Sequence, residues 1–164
     1  MRLSLALAAA ALFATAAVAA EPVTADLKNS AGETIGKATL TPAPKGVLLK
    51  VETKGLTPGW HGLHFHEKAD CSKSDFTSAG GHTHGGGDRV HGLLNPKANE
   101  TGDLPNLFVG ADGVGVTEVF SSLTTLDALN DADGSAVLIH AAADDHSSQP
   151  IGGAGARVAC AAVK

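Results

Sequence analysis

The chain has 164 residues, 43% of them hydrophobic, which is enough for a core and too many for a disordered polymer. Its formal net charge of −5 excludes a general basic surface for nucleic acid or anionic lipid. High glycine (20 residues), aromatics at only 4% and the absence of Tyr argue against a long helical bundle and for short strands joined by many turns.

Residues 1–20 place one basic side chain, Arg2, before an apolar run of Leu, Ala and Phe that ends in Ala17-Val18-Ala19-Ala20. That layout is expected of a secretory signal peptide, with small residues at the cleavage positions. The run is short for a membrane anchor, no stop-transfer segment follows it, and no later stretch is long enough to span a bilayer. Residues 21–164 then read as one domain. In an exported chain the two cysteines, Cys71 and Cys160, suggest one disulfide.

Strands are expected over residues 22–27, 34–40, 47–52 and 60–67, separated by Asn29-Ser30-Ala31-Gly32, Pro42-Ala43-Pro44-Lys45-Gly46 and Pro58-Gly59. Residues 68–105 are rich in Gly, His and Ser and follow neither a strand nor a helix period, so they read as a long loop that must be functional or fastened. Further strands are expected over 107–109, 114–120, 136–141 and 156–163, with a second irregular stretch at 142–155. Seven or eight short strands with turns between them imply an all-β antiparallel sandwich or barrel.

Eight histidines in so short a chain are the main chemical signal, since imidazole is the commonest metal ligand. His64 and His66 lie two apart on one strand and leave the same face, with Phe65 directed to the core. Such a pair can chelate a transition metal, although H-x-H also occurs on plain surfaces. His61 falls on the Phe65 side and reads as a buried histidine bonded to backbone. Loop histidines follow at His82, His84 and His91, flanked by glycines, and His140 ends a strand. His146 reads as a surface residue rather than an auxiliary metal contact.

Taken together, Gly62-Leu63-His64-Phe65-His66-Glu67, Ser78-Ala79-Gly80-Gly81-His82, Val90-His91-Gly92, Gly102-Asp103-Leu104-Pro105-Asn106-Leu107, Val137-Leu138-Ile139-His140 with Asp144-Asp145, and Gly152-Gly153-Ala154-Gly155-Ala156-Arg157-Val158-Ala159-Cys160 resemble the secreted, bacterial-type copper,zinc superoxide dismutases. The matching segments run in order through nearly the whole chain after residue 20. The resemblance implies a Greek-key β-sandwich or barrel with its metals outside it, under two long loops. It implies an enzyme that converts superoxide to oxygen and hydrogen peroxide, with copper alternating between Cu(II) and Cu(I) beside a zinc site.

By the same resemblance His64, His66, His82 and His140 would bind copper. His82 would bridge to zinc and carry a proton during turnover, and His91 and Asp103 would bind zinc. Asp144 would link a copper histidine to a zinc histidine, Arg157 would hold the anionic substrate, and Cys71 and Cys160 would be bonded. The family's third zinc histidine has no counterpart: Glu100 stands at its position, and the segment from His82 to His91 is one residue longer than usual. Glu100 could bind zinc through oxygen, His84 could move in, or the zinc site could be weak; Glu100 is favoured. A second carboxylate would leave the zinc site net negative. The competing reading is a copper-binding or carrier protein of the same fold with little turnover. A periplasmic or secreted monomer or homodimer is expected.

Overall fold

The computed structural model describes residues 21–164; the expected leader at 1–20 lies outside the described residues. β1 (Val23–Asn29), β2 (Thr34–Ala43) and β3 (Gly46–Thr53) form an antiparallel meander. Its first turn is built as the sequence suggests. The Asn29 side-chain oxygen accepts the N–H groups of Ala31 and Glu33, both at 3.0 Å, and Gly32 takes the left-handed angle φ 82°.

The expected strand at 60–67 is two strands. β4 (Gly59–His61) pairs with β6 (Leu107–Val109), whereas β5 (Leu63–His66) pairs with β8 (Ser135–His140). The break falls at Gly62, whose N–H donates to Ala142 O and whose carbonyl accepts from His140 N, both at 2.8 Å. A side chain there would lie 2.8 Å from the Ala154 methyl, so only glycine lets the second loop pack this close. With β7 (Gly115–Ser121) and β9 (Arg157–Val163), nine antiparallel strands run in the order β4-β6-β7-β3-β2-β1-β9-β8-β5. Because β4 and β5 are consecutive in the chain yet end the order on opposite sides, the sheet is nearly closed on itself. This is the all-β Greek-key barrel expected. A four-residue helix, α1 (Leu126–Leu129), is capped by Thr125 and is too short to leave a periodic signal.

Inward residues such as Leu27, Leu40, Leu49, Phe65, Val137 and Ile139 fill one core and are fully buried. Each removes enough apolar surface from water to contribute about 1.5–3 kcal/mol. A second, smaller core forms outside the barrel, where Phe76 and Ala79 from the long loop pack on Ala136, Leu138 and Cys160. The Cys71–Cys160 disulfide closes over it, with Cα atoms 5.9 Å apart and a sequence separation of 89. The loop between β5 and β6 is therefore fastened to β9 covalently and to β8 by packing, as its length required.

Replacing both Cys71 and Cys160 by Ser should destabilise the metal-free protein by about 2–5 kcal/mol, because the bond closes a long loop of the unfolded chain. Denaturant unfolding of the two proteins measures the difference; a change below about 0.5 kcal/mol would contradict it.

Candidate metal centre

β5 and β8 are neighbours, and they carry His64, His66 and His140 to the outside of the barrel. His82 joins them from the long loop through a single backbone bridge opposite His66. All four rings are buried beneath the loops. Each spends one nitrogen on the protein. His64 Nε2 donates to Asp144 Oδ2 at 2.9 Å, His66 Nδ1 to Gly80 O at 3.0 Å, His82 Nδ1 to Glu100 Oε2 at 2.6 Å and His140 Nδ1 to Gly155 O at 3.0 Å. These partners fix which nitrogen of each ring is left over.

The four remaining atoms, His64 Nδ1, His66 Nε2, His82 Nε2 and His140 Nε2, are buried without any hydrogen-bond partner. The ligand atoms of this group all lie within 4.8 Å of one another. Lone pairs so arranged repel each other and have lost their water, so the pocket fits a cation. The spacing suits bonds of about 2.0 Å, which put opposite ligands about 4 Å apart.

A second pocket adjoins the first through the other side of the His82 ring. His91 Nδ1 lies 2.8 Å from Asp103 Oδ1 and 2.9 Å from Glu100 Oε2. His82 Nδ1 stands 2.6 Å from Glu100 Oε2 and 3.5 Å from Asp103 Oδ1. The edge of a tetrahedron of 2.0 Å bonds is about 3.3 Å, and contacts of this size place His82, His91 and Asp103 in one group of potential metal ligands. His64 is also near this cluster. Its Nε2 is committed to Asp144, however, and its Nδ1 lies on the side of the first pocket, whereas Glu100 Oε2 contacts both His82 and His91. His84 is turned to other partners. Its Nδ1 accepts from Gly86 N at 3.0 Å and its Nε2 lies 3.5 Å from Glu67 Oε1.

Asp144 spans both pockets, accepting from His64 Nε2 on one oxygen and from His91 Nε2, at 3.0 Å, on the other. Arg157 leaves the first residue of β9, in register with His140, and donates to Phe76 O at 2.5 Å and to Gly80 O at 2.6 Å. Its charge is felt at His66 and His140. Thus the imidazoles, the three carboxylates and the guanidinium expected at the site lie together. His61 is buried as expected, with its ring nitrogens 2.6 Å from His140 O and 2.8 Å from Thr57 O. His146 corrects the expectation of a plain surface residue. It is half-buried, with Nδ1 3.3 Å from Asp144 Oδ2 and Nε2 3.3 Å from Asn106 Nδ2.

Sequence reasoning missed two carboxamides that hold main chain. Asn106 accepts Asp144 N–H at 2.9 Å and donates to Asp144 O at 2.8 Å. Gln149 does the same for His91, both contacts at 2.9 Å. Asn106 falls inside a quoted motif; Gln149 had no signal, being 58 residues from its partner.

Fold and site together define a class: a Greek-key barrel carrying two adjoining groups of potential metal ligands that meet at His82. The family model described as copper/zinc superoxide dismutase matches residues 34–163. The chain is 57% identical over 147 residues to a Cu-Zn superoxide dismutase of Caulobacter vibrioides, covering 86% of this chain and 84% of that one. It is 36% identical to a Cu-Zn superoxide dismutase of Escherichia coli K12, with 99% of each chain covered. Among solved structures, the Cu/Zn superoxide dismutase from Brucella abortus superposes with TM-score 0.74 at 30% identity, covering 88% of this chain and 100% of that one. A dismutase-like protein from Bacillus subtilis gives TM-score 0.81 at 36% identity, covering 86% and 97%. The chain belongs to the copper/zinc superoxide dismutase family.

In the metal-free protein, burial pushes the His64 imidazole down from 6.5 to about 4 and the His140 imidazole to about 3. The unfolded chain therefore binds more protons below pH 6.5, and stability falls as pH drops from there through about 4. Asp103 and Asp144 are held below the ordinary carboxylate range. Burial opposes this, but hydrogen bonds from His82 and His91 to Asp103, and from His64 and His91 to Asp144, outweigh it. They extend the loss in the same direction at lower pH. His91 acts oppositely: burial is outweighed by its bonds to Asp103, Asp144 and Glu100, which raise it to about 11. Its contribution is complete below 6.5 and disappears as pH rises towards about 11. Thermal melts of the metal-free protein should thus peak near pH 6.5 and decline on both sides; no change between pH 4 and 6.5 would contradict the burial account.

Proposed function

We propose that His64, His66, His82 and His140 hold copper, that His82, His91, Asp103 and Glu100 hold zinc, and that the chain removes superoxide at the copper side. The observation that carries this reading is the set of four buried ring nitrogens that face one another without a donor. Bound copper supplies one-electron chemistry between Cu(II) and Cu(I), so that two superoxide anions and two protons give oxygen and hydrogen peroxide.

The remaining work falls to side chains. Arg157 uses two of its five N–H donors on backbone carbonyls and keeps the others for a small anion. His82 can take up a proton at Nε2 and release it again, while its Nδ1 stays anchored on the zinc side. Asp144 keeps the His64 and His91 rings in fixed tautomers. Asp103 is itself held by Gly92 N–H at 2.7 Å. A carrier of the same fold needs neither a complete set of four imidazoles nor a guanidinium beside them, so turnover is favoured. The disulfide supports export to an oxidising compartment, the periplasm or the exterior. No helix among the described residues is long and apolar enough to cross a membrane.

The copper- and zinc-loaded protein should accelerate superoxide decay, and Arg157→Ala should lower kcat/KM by about 10- to 1,000-fold. A fully copper-loaded protein without effect on superoxide decay would overturn the dismutase reading. Glu100→Ala should weaken zinc binding by about 10- to 100-fold or more in chelator competition, and His84→Ala should leave it unchanged. The opposite pattern would assign the fourth zinc donor to His84.

A further inference from the structure

One peptide unit of the long loop, Gly80–Gly81, faces the copper-side imidazoles and the guanidinium together. Its carbonyl, Gly80 O, accepts from Arg157 Nη2 at 2.6 Å and from His66 Nδ1 at 3.0 Å. Its N–H, on Gly81, donates to Glu67 Oε2 at 3.0 Å. Glycine stands on both sides of this peptide, and Gly80 adopts φ 78°, ψ −155°, a conformation open to glycine. Side-chain sterics therefore do not prevent the unit from turning over. Hydrogen bonding does: inverted, its N–H would meet two donors and its carbonyl would meet a carboxylate.

We infer that Glu67 is a positioning residue that locks the Gly80–Gly81 peptide in the orientation that aims Arg157 and sets the tautomer of His66. The carboxylate is well placed for this. Glu67 follows β5 directly, and its own N–H donates to Gly81 O at 3.0 Å. Its other oxygen, Oε1, pairs with Arg89 Nη2, and the Arg89 guanidinium lies over Gly81 where a Cβ would collide with it. Gly80 is equally confined, since a Cβ there would come within 2.7 Å of Glu67 Oε2. With the carbonyl held inward, Gly80 O takes the Nδ1 proton of His66 and leaves Nε2 bare for the metal. The same oxygen is one of two carbonyls on Arg157, the other being Phe76 O. Without the Glu67 acceptor the peptide is held from its carbonyl side alone, by Arg157 and His66, and the Gly80 O anchor of the guanidinium is weakened.

This inference rests on the reading of Arg157 as the anion contact. The test compares the copper- and zinc-loaded parent with Glu67→Gln, which keeps an oxygen acceptor for Gly81 N–H, and Glu67→Ala, which does not. Azide serves as a small anionic probe, titrated by visible absorption. Glu67→Ala should weaken azide binding by about fivefold, the worth of one hydrogen bond, and Glu67→Gln should stay close to the parent. Equal affinity in parent and Glu67→Ala overturns the proposal, as does a Glu67→Gln protein as weak as Glu67→Ala. Amide exchange at Gly81, followed by NMR in the reduced, metal-loaded parent, is an independent arm that needs no variant. It should be slowed by about tenfold or more relative to an unstructured peptide, and exchange at the unstructured rate overturns the proposal. That measurement reports the peptide lock even in a protein that does not remove superoxide, so failure of the lock and failure of the dismutase reading are distinguishable.

Discussion

Four ring nitrogens, buried and turned towards one another with nothing to donate between them, are the constraint around which the structure is arranged. Such a group is unfavourable in a folded chain on its own, because each lone pair has lost water and gained only other lone pairs. It persists because the barrel over-determines it. Two strands fix three of the rings, and every second nitrogen is committed to a carbonyl or carboxylate. The fold thus holds open a position that fits a cation.

The two loops do what the barrel cannot. They bring carboxylates and a further pair of imidazoles to its outer wall, and they must do so without regular secondary structure to stiffen them. Stiffness comes instead from side chains gripping main chain: Asn106 on Asp144, Gln149 on His91, Glu67 on Gly81, and Arg157 on Phe76 and Gly80. The disulfide and the Phe76 cluster then fasten the longer loop to the sheet. Irregular backbone is held rigid through many small polar contacts, which is why so many loop residues are buried or half-buried.

Glu100 makes this site chemically distinct within its own pattern. Under the proposed assignment its carboxylate stands where the family pattern has a neutral ring, so that pocket would gather two carboxylates around two imidazoles. A harder, more negative donor set binds a divalent ion firmly, and places extra negative charge near the path of an anion. The guanidinium beside the copper-side rings acts against that charge at short range.

Much of this was legible in the sequence. Alternation on a strand decided that His64 and His66 share a face opposite Phe65, because strand side chains have a strict period of two. The motifs carried the family, and with it the four imidazoles that the fold brings together, the carboxylate link at Asp144 and the bonded cysteines. Only the tertiary structure decided what depends on contacts between distant segments. It divided the run at 60–67 into two strands, because Gly62 must admit the second loop. It turned His84 towards Glu67 and Gly86, and Glu100 towards His82 and His91, because a loop side chain's direction is set by what it packs against and not by its spacing. It also revealed the grip of Gln149 on His91 and of Glu67 on Gly81, since no local pattern encodes a hydrogen bond between residues that only folding makes neighbours.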